Sequence, residues 1–434
     1  MKSKFALILV FLLVLAAGQA RAAWTTRESG TTQDLNALYF PANASGFAVG
    51  NNGTILRSFN GGVTWESIAS GAANHRDAIF LSSEEGYVVG DGGVILRTTN
   101  RGSSFSTVAI TGIGAGSNFK KASSYGNNLA FAVSNGASTN SQVLASAEGG
   151  SWTLTTITSV DVAGVFIGSS ETLPFDTWVW GRAFEGTESG KYVVLKNGTV
   201  NLSLAAKINA LFFVNPLTGY LVGDGGLIYK TINGGSSWST SSAGVTENLN
   251  ALSFITTSFG WVVGNLGTIA YTTNGGSSWT SYTLDDATVN INDIFVKLVS
   301  STSAAGVGRV ATLRILASAT VSVNAYLAGS GGKVLQLTSP TITGVSPTSE
   351  PQGFIGSIEV TGSGFLDGAA ISIEAPGFTV ITTVFESVGK LWAPIIISTS
   401  EATPGAKNVT VQNPDTTVST TVGAFTVTAR VAAV

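Results

Sequence analysis

Residues Leu249 to Trp279 read LNALSFITTSFGWVVGNLGTIAYTTNGGSSW. Three apolar runs, LNALSF, GWVVG and TIAYT, are separated by short polar or Gly-bearing turns, and the closing Trp opens a fourth run. Four short antiparallel strands in a unit of forty-odd residues is the pattern of one β-propeller blade. The end of this unit echoes through the chain as SFNGGVTW (Ser58 to Trp65), TTNRGSSF (Thr98 to Phe105), SAEGGSW (Ser146 to Trp152) and TINGGSSW (Thr231 to Trp238). The chain is therefore a repeat protein.

Unit starts give the blade count. The L/I-N-A/D pattern falls at Leu35, Ile208, Leu249 and Ile291, with a weaker form at Arg76-Asp77-Ala78. Starts at 35, 76, 208, 249 and 291 lie 41, 132, 41 and 42 residues apart, and the gap of 132 holds three units of 44. Seven blades fit, with those starting near Lys120 and Asp161 eroded in sequence. The turns VGNNG (Val49 to Gly53), VGDGG (Val89 to Gly93 and Val222 to Gly226) and VGNLG (Val263 to Gly267) put Asn, Asp and Gly where a tight hairpin needs positive φ.

The seventh unit ends at Gly329 to Pro340 without a Trp-bearing outer strand, whereas AAWTTRESG (Ala22 to Gly30) is a Trp-bearing strand without a blade. Joining the two removes two exposed sheet edges, so the N-terminal strand is expected to complete the last blade. Ahead of it, Lys2 and Lys4 precede an apolar run from Phe5 to Ala17, and Ala20-Arg21-Ala22 supplies small residues for cleavage. This reads as a signal peptide over residues 1–22, too short to span a bilayer comfortably, with export from the cytoplasm and no transmembrane anchor after cleavage. With 0 Cys, neither a lipid-anchoring thiol nor a disulfide is available.

Composition supports this reading. The sequence has 53 Gly, 44% apolar and 11% charged residues, which favours tightly turned β structure over disorder. Removing Lys2, Lys4 and Arg21 moves the formal net charge from −3 to −6, which argues against nucleic acid as a partner. Only Pro41, Pro174 and Pro216 precede residue 340, while seven prolines lie from there onward and the echo stops. A boundary is expected there, with the propeller over 23–339. The separable tail over 340–434, with its runs SIEVTG, AISIEA and KNVTVQ, reads as an immunoglobulin-like β-sandwich. The expected fold is thus all-β.

Both halves resemble known families. The G-x-x-V-G turn, the T-I-L-R-S/T strand (Thr54 to Ser58, with variants at Val94 and Leu227) and the N-G-G-x-S/T-W box resemble the photosystem II stability and assembly factor propellers. The boxes also place the repeat in the wider Asp-box class found in sialidases, although Asn or Glu stands where the Asp would be. The tail resembles the IPT/TIG immunoglobulin-like domain through Ile342 to Pro347, Thr361 to Phe365, Pro404-Gly405, Val409 to Val411, Asn413 to Asp415 and Phe425.

The first resemblance implies a non-enzymatic scaffold that holds a protein partner, with basic residues before the box implicated in docking. Those positions here are Arg57, Arg97, Lys230, Tyr271 and Gln336. Exposed charges contribute little to stability, so replacing Arg57, Arg97 and Lys230 together is expected to spare the fold. Fold kinship does not carry function with it, and an adhesive or carbohydrate-binding role at the cell surface is the alternative. The expected partner is a protein of the cell envelope or surface, with a glycan as the rival ligand.

Catalysis has little support in the residues. No Arg-Ile-Pro motif of the sialidase class is present, and Glu84, Glu85, Asp176, Glu185 and Glu188 fall in or beside turns, where loop carboxylates are mostly solvated. A lone His75 and no Cys exclude a zinc-type cluster and a Cys/His pair, and no cofactor is expected. One carboxylate per turn at Asp91 and Asp224 is too few for calcium. The eroded fourth blade is the informative irregularity: Trp178-Val179-Trp180-Gly181-Arg182 combines aromatics with Arg, the composition of interface anchors. Trp178, Trp180 and Arg182 therefore join Arg57, Arg97 and Lys230 as candidate partner-binding residues. The bland alternative is that either Trp packs between blades in place of the missing box Trp.

Overall fold

The apolar runs become strands where the pattern places them, and in the computed structural model they assemble into seven four-stranded antiparallel sheets followed by a two-sheet sandwich. Residues 24–429 are described, apart from 43, 69–70, 137–139, 148–150, 169–175, 285, 301–320, 338–339, 366–368, 374, 388–389 and 414–417. The expected signal peptide lies outside the described residues.

The innermost strands are Leu35–Tyr39, His75–Phe80, Asn118–Tyr125, Val160–Gly168, Ile208–Phe213, Leu249–Phe254 and Ile291–Ser300. Each is followed by three more strands ordered outward. All seven inner strands carry a bulge near their start, for example between Leu35 and Ala37 and between Ile208 and Ala210. A bulge turns one side chain out of the ladder. In four blades that residue is an asparagine whose Nδ2 donates to a main-chain carbonyl of the next blade. Asn36 reaches His75 at 2.7 Å, Asn209 reaches Leu249 at 2.9 Å, Asn250 reaches Ile291 at 2.9 Å, and Asn292 reaches Leu35 at 2.8 Å. The last of these joins blade seven to blade one. Buried Asp293 adds a second bond across the same seam, its Oδ2 accepting from the Leu38 amide at 2.9 Å.

Second strands such as Gly46–Gly50 and Gly86–Gly90 are buried throughout, which is why they read as short continuous apolar runs. Their first glycine is required by a neighbour. A Cβ on Gly86 would lie 2.2 Å from the Phe80 ring that closes the inner strand.

The N-terminal strand Trp24–Arg27 pairs antiparallel with Val334–Leu337 and supplies the outer strand of blade seven, as the unmatched Trp implied. Trp24 also acts as a box Trp does. Its Nε1 donates to Tyr282 Oη of blade six at 2.8 Å, as Trp279 donates to Ser241 of blade five at 2.9 Å and Trp238 to Asn201 of blade four at 2.8 Å. In blade seven the first hairpin is long: its strands run to Ser300 and resume at Val321, which face each other in register, and residues 301–320 lie outside the described residues.

After blade seven, one sheet pairs Thr341–Ser346, Ile355–Ser363, Lys390–Ile397 and Phe378–Val380, with Val384–Ser387 alongside. The other pairs Ser349–Pro351, Val418–Thr428, Gly405–Gln412 and Ala370–Ile373. Inward residues of both sheets, among them Ile358, Leu391, Val409, Val411 and Phe425, form their common core.

Candidate functional site

Strand order fixes the two faces of the propeller. The turn between the second and third strands and the link to the next blade lie at one end of each sheet; the first hairpin and the box turn lie at the other. The boxes and the basic row before them lie at or near the box end.

The box itself is occupied by its own bonds. In blades one, two, five and six the hydroxyl of Ser58, Thr98, Thr231 or Thr272 donates to the following Asn Oδ1 at 2.9, 2.9, 3.0 and 3.1 Å. That same Oδ1 accepts the backbone N–H of Thr64, Ser104, Ser237 or Ser278. Each Asn Nδ2 then donates to the hydroxyl of the same residue at 2.8 to 2.9 Å. The asparagine is thus satisfied inside the turn, which is the turn-forming role its chemistry suits.

The basic row has a definite geometry. Arg57 faces Phe47 across the ladder, Arg97 faces Tyr87, and Lys230 faces Tyr220. In blade four the same register puts Lys196 opposite Trp178, and in blade three Ala145 opposite Ala130. Lys196 is therefore a fourth member that the sequence concealed, because blade four lacks the box that marks the position. The Lys196 ammonium sits 5.0 Å from the Trp178 ring centre, and that of Lys230 sits 5.6 Å from Tyr220. Blade seven has Gln336 here, and its Oε1 accepts from Arg27 Nε at 3.0 Å, so the closing strand brings the cation that the third strand lacks.

Three of these cations reach forward to the next blade. Arg57 Nη1 donates to the Arg101 carbonyl at 3.1 Å, Lys196 Nζ to Gly234 at 3.2 Å, and Lys230 Nζ to Gly275 at 2.7 Å. Each acceptor is the residue after the box Asn, or after Asn100 in blade two. They link adjacent blades, so Arg57 and Lys230 are not the free exposed charges that were expected. Arg97 differs: it bonds Glu85 of its own blade at 2.8 Å and is more exposed than Arg57.

The aromatic candidates are corrected by burial. Trp178 and Trp180 are each 2% exposed. Trp178 stacks on Phe213 of blade five at 4.5 Å and meets Trp238 edge-on at 6.4 Å, so it fills the gap between blades. Trp180 lies over Gly164, where a Cβ would fall 2.1 Å from the ring. Arg182 is exposed, but it faces Asp161 and Tyr192 near the other end of the blade, away from the boxes. The six candidates do not converge on one patch.

Among the side chains that the box end exposes, three are large and apolar. Phe59 is 51% and Ile232 is 68% exposed, each directly before a box Asn, where blades two and six carry Thr99 and Thr273. Leu217 of the first hairpin in blade five is 48% exposed, and its carbonyl accepts from the Gly234 amide at 2.9 Å, which places it beside Ile232. The Arg57 guanidinium covers Phe59 at 4.5 Å. For Phe59 and Ile232 the sequence signal was present only as a variable position within the echo.

Several other ionisable groups are engaged in the fold. Asp176 pairs with Lys196 at 3.0 Å, Glu84 with Arg101 at 2.9 Å, and Asp91 with Arg76. Buried Asp77 accepts from the Ala122 amide of blade three at 2.9 Å. His75, fully buried at the start of the inner strand of blade two, has its pKa pushed down to about 4 by desolvation of the cation. Among the described residues no group of three or more His, Asp or Glu is placed to hold a metal ion.

The family described as Photosynthesis system II assembly factor YCF48 matches this sequence over residues 16–162 and 191–298. Among solved structures, the chain is similar to YCF48 bound to D1 peptide, at 17% identity over 73% of this chain and 97% of that one, with a TM-score of 0.53. YCF48 from Cyanidioschyzon merolae gives 17%, 73%, 99% and 0.53 for the same quantities. The WD40 β-propeller domain of Doa1 gives 13%, 73%, 97% and 0.53. At these identities the likeness shows the fold. No curated protein matches the sequence.

Proposed function

The chain belongs to the Photosynthesis system II assembly factor YCF48 family, and on that premise we propose that it is a non-catalytic scaffold that holds a protein partner on the box face of its propeller, outside the cytoplasm. The observation that carries this reading is the exposure of Phe59, Leu217 and Ile232 at turns whose geometry does not call for an apolar side chain. Exposed apolar residues on a rigid scaffold, with the Arg57 guanidinium over Phe59, fit contact with a polypeptide. A related propeller solved with a D1 peptide supports the same class of ligand. The lysines and apolar run of the first 22 residues support an extracytoplasmic setting.

Crosslinking capture from native envelope extracts tests the reading. The wild-type chain should recover a defined protein partner, and Phe59→Ser/Leu217→Ser/Ile232→Ser should lose most of it with melting unchanged. Undiminished capture by the triple variant would move the contact elsewhere. Selective binding on a sugar array, with no protein recovered, would replace this reading with the carbohydrate-binding alternative.

A further inference from the structure

The turn Asn265-Leu266-Gly267 of blade six departs from its counterparts. At the second turn position blades one, two, five and seven carry Asn52, Gly92, Gly225 and Gly331, all at positive φ. Glycine adopts that backbone freely and asparagine tolerates it, whereas a branched apolar side chain is strained there. Blade six nevertheless holds Leu266 at φ 53° with 52% of its surface exposed. The leucine helps neither the turn nor the core.

It overhangs a groove at the outer edge of the face opposite the boxes. Val245 and Glu247, from the link between blades five and six, form one wall, and Thr268, Ser281 and Thr283 of blade six form another. The Glu247 carboxylate accepts only from the Thr246 amide and hydroxyl, at 3.0 and 3.4 Å, and among the described residues it has no cationic partner. Buried Tyr282, fixed by the Trp24 indole, also lines the groove. With Ala287, the lining therefore offers one carboxylate, three aliphatic side chains, the hydroxyls of Thr268, Ser281 and Thr283 beside the Tyr282 hydroxyl already engaged by Trp24, and no cation.

We propose that this groove receives an arginine side chain from a polypeptide partner. Val245 and Leu266 cover the aliphatic stem, Glu247 meets the guanidinium charge, and the hydroxyls of Thr268, Ser281 and Thr283 accept N–H groups that a single carboxylate cannot satisfy. Arginine presents five donors in a planar fork on an apolar stem, which is the complement of this lining; a carboxylate-bearing or purely apolar group leaves Glu247 unanswered. The surface is separate from the box face and stands independently of the function proposed there.

The test is an NMR titration of the 15N-labelled full chain with the capped peptide Ac-Ala-Leu-Arg-Ala-amide and the same peptide carrying neutral, near-isosteric citrulline. The arginine peptide should shift the amides of Leu266, Thr268 and Thr283. Replacing arginine by citrulline, or Glu247→Gln in the protein, should weaken binding about tenfold, equivalent to ~1.4 kcal/mol. Leu266→Gly should weaken binding while leaving the melting temperature unchanged or raised, because glycine relieves the backbone strain. A leucine kept for stability would show the opposite. Absence of shifts at millimolar arginine peptide, equal affinity for the citrulline peptide, or unaltered binding in both variants would overturn the proposal.

Discussion

Single residues in this ring are interpretable because seven copies of each position can be laid side by side. His75 occupies a place taken elsewhere by Leu35, Phe119, Ile208, Leu249 and Ile291, all fully buried. Burial lowers its pKa from 6.5 to about 4, so the unfolded chain binds a proton at a pH where the folded chain does not. The stabilising difference is complete above pH 6.5 and is lost as pH falls towards 4, to the extent of about 3 kcal/mol. His75→Leu should therefore flatten the fall in melting temperature across that window. An equally steep fall in the variant would show that His75 does not carry the acid sensitivity. The sequence showed His75 as solitary, which excluded a zinc-type cluster and a Cys/His pair. Its depth was not legible, since the R-D-A run around it resembles a polar strand start until the register places it on the inner strand.

Elements were read well where turn chemistry repeats and poorly where a role depends on the neighbouring blade. The box asparagines, the positive-φ turns and the Trp-bearing closing strand all follow from local bonding rules, so the sequence suffices for them. The clasp formed by Arg57, Lys196 and Lys230 does not, because its acceptor carbonyls belong to the next unit, 38 to 45 residues away in chain for three of these contacts. Lys196 is hidden for the same reason, as is the burial of Trp178 against blade five. A prediction follows for the clasp. Lys230→Met keeps the stem over Tyr220 but leaves the Gly275 carbonyl short of a charge-assisted donor. It should lower stability by about 1–2 kcal/mol, read as a shift in the chemical-denaturation midpoint. Arg97→Ala, lacking any such bond to the next blade, should stay within ~0.5 kcal/mol of wild type. Equal and negligible effects would show that the forward bonds do not hold the blades together. Arg97 is accordingly the informative substitution for a docking role, since a loss of partner capture there is separable from a loss of fold.

At the scale of the whole ring, one seam differs from the other six. Blade seven draws three strands from residues 291–337 and its fourth from residues 24–27, so its last ladder joins chain segments separated by the rest of the propeller. The other blades are covalently continuous from strand to strand, and each can form from local contacts. Blade seven can be completed only when the N-terminal strand returns, and the bonds across its border with blade one, from Asn292 to Leu35 and from Leu38 to Asp293, become useful only then. Closure is therefore a late, long-range event that locks earlier local ones, with a high entropic cost offset by the Trp24 contact and the ladder. Deleting Trp24 to Gly30 should leave Val334–Leu337 as an open edge and remove the indole from Tyr282. Loss of a packed Trp alone costs about 3–5 kcal/mol, and for a chain of this size each kcal/mol moves the midpoint by roughly 2–4 °C, so melting should fall by about 10 °C or more. Hydrogen exchange locates the effect: protection should fall first in blade seven and at its border with blade one, while blades three and four retain theirs. A deletion that melts with the wild type, or that loosens all blades evenly, would mean that the ring is held by its inter-blade contacts and that the closing strand is dispensable.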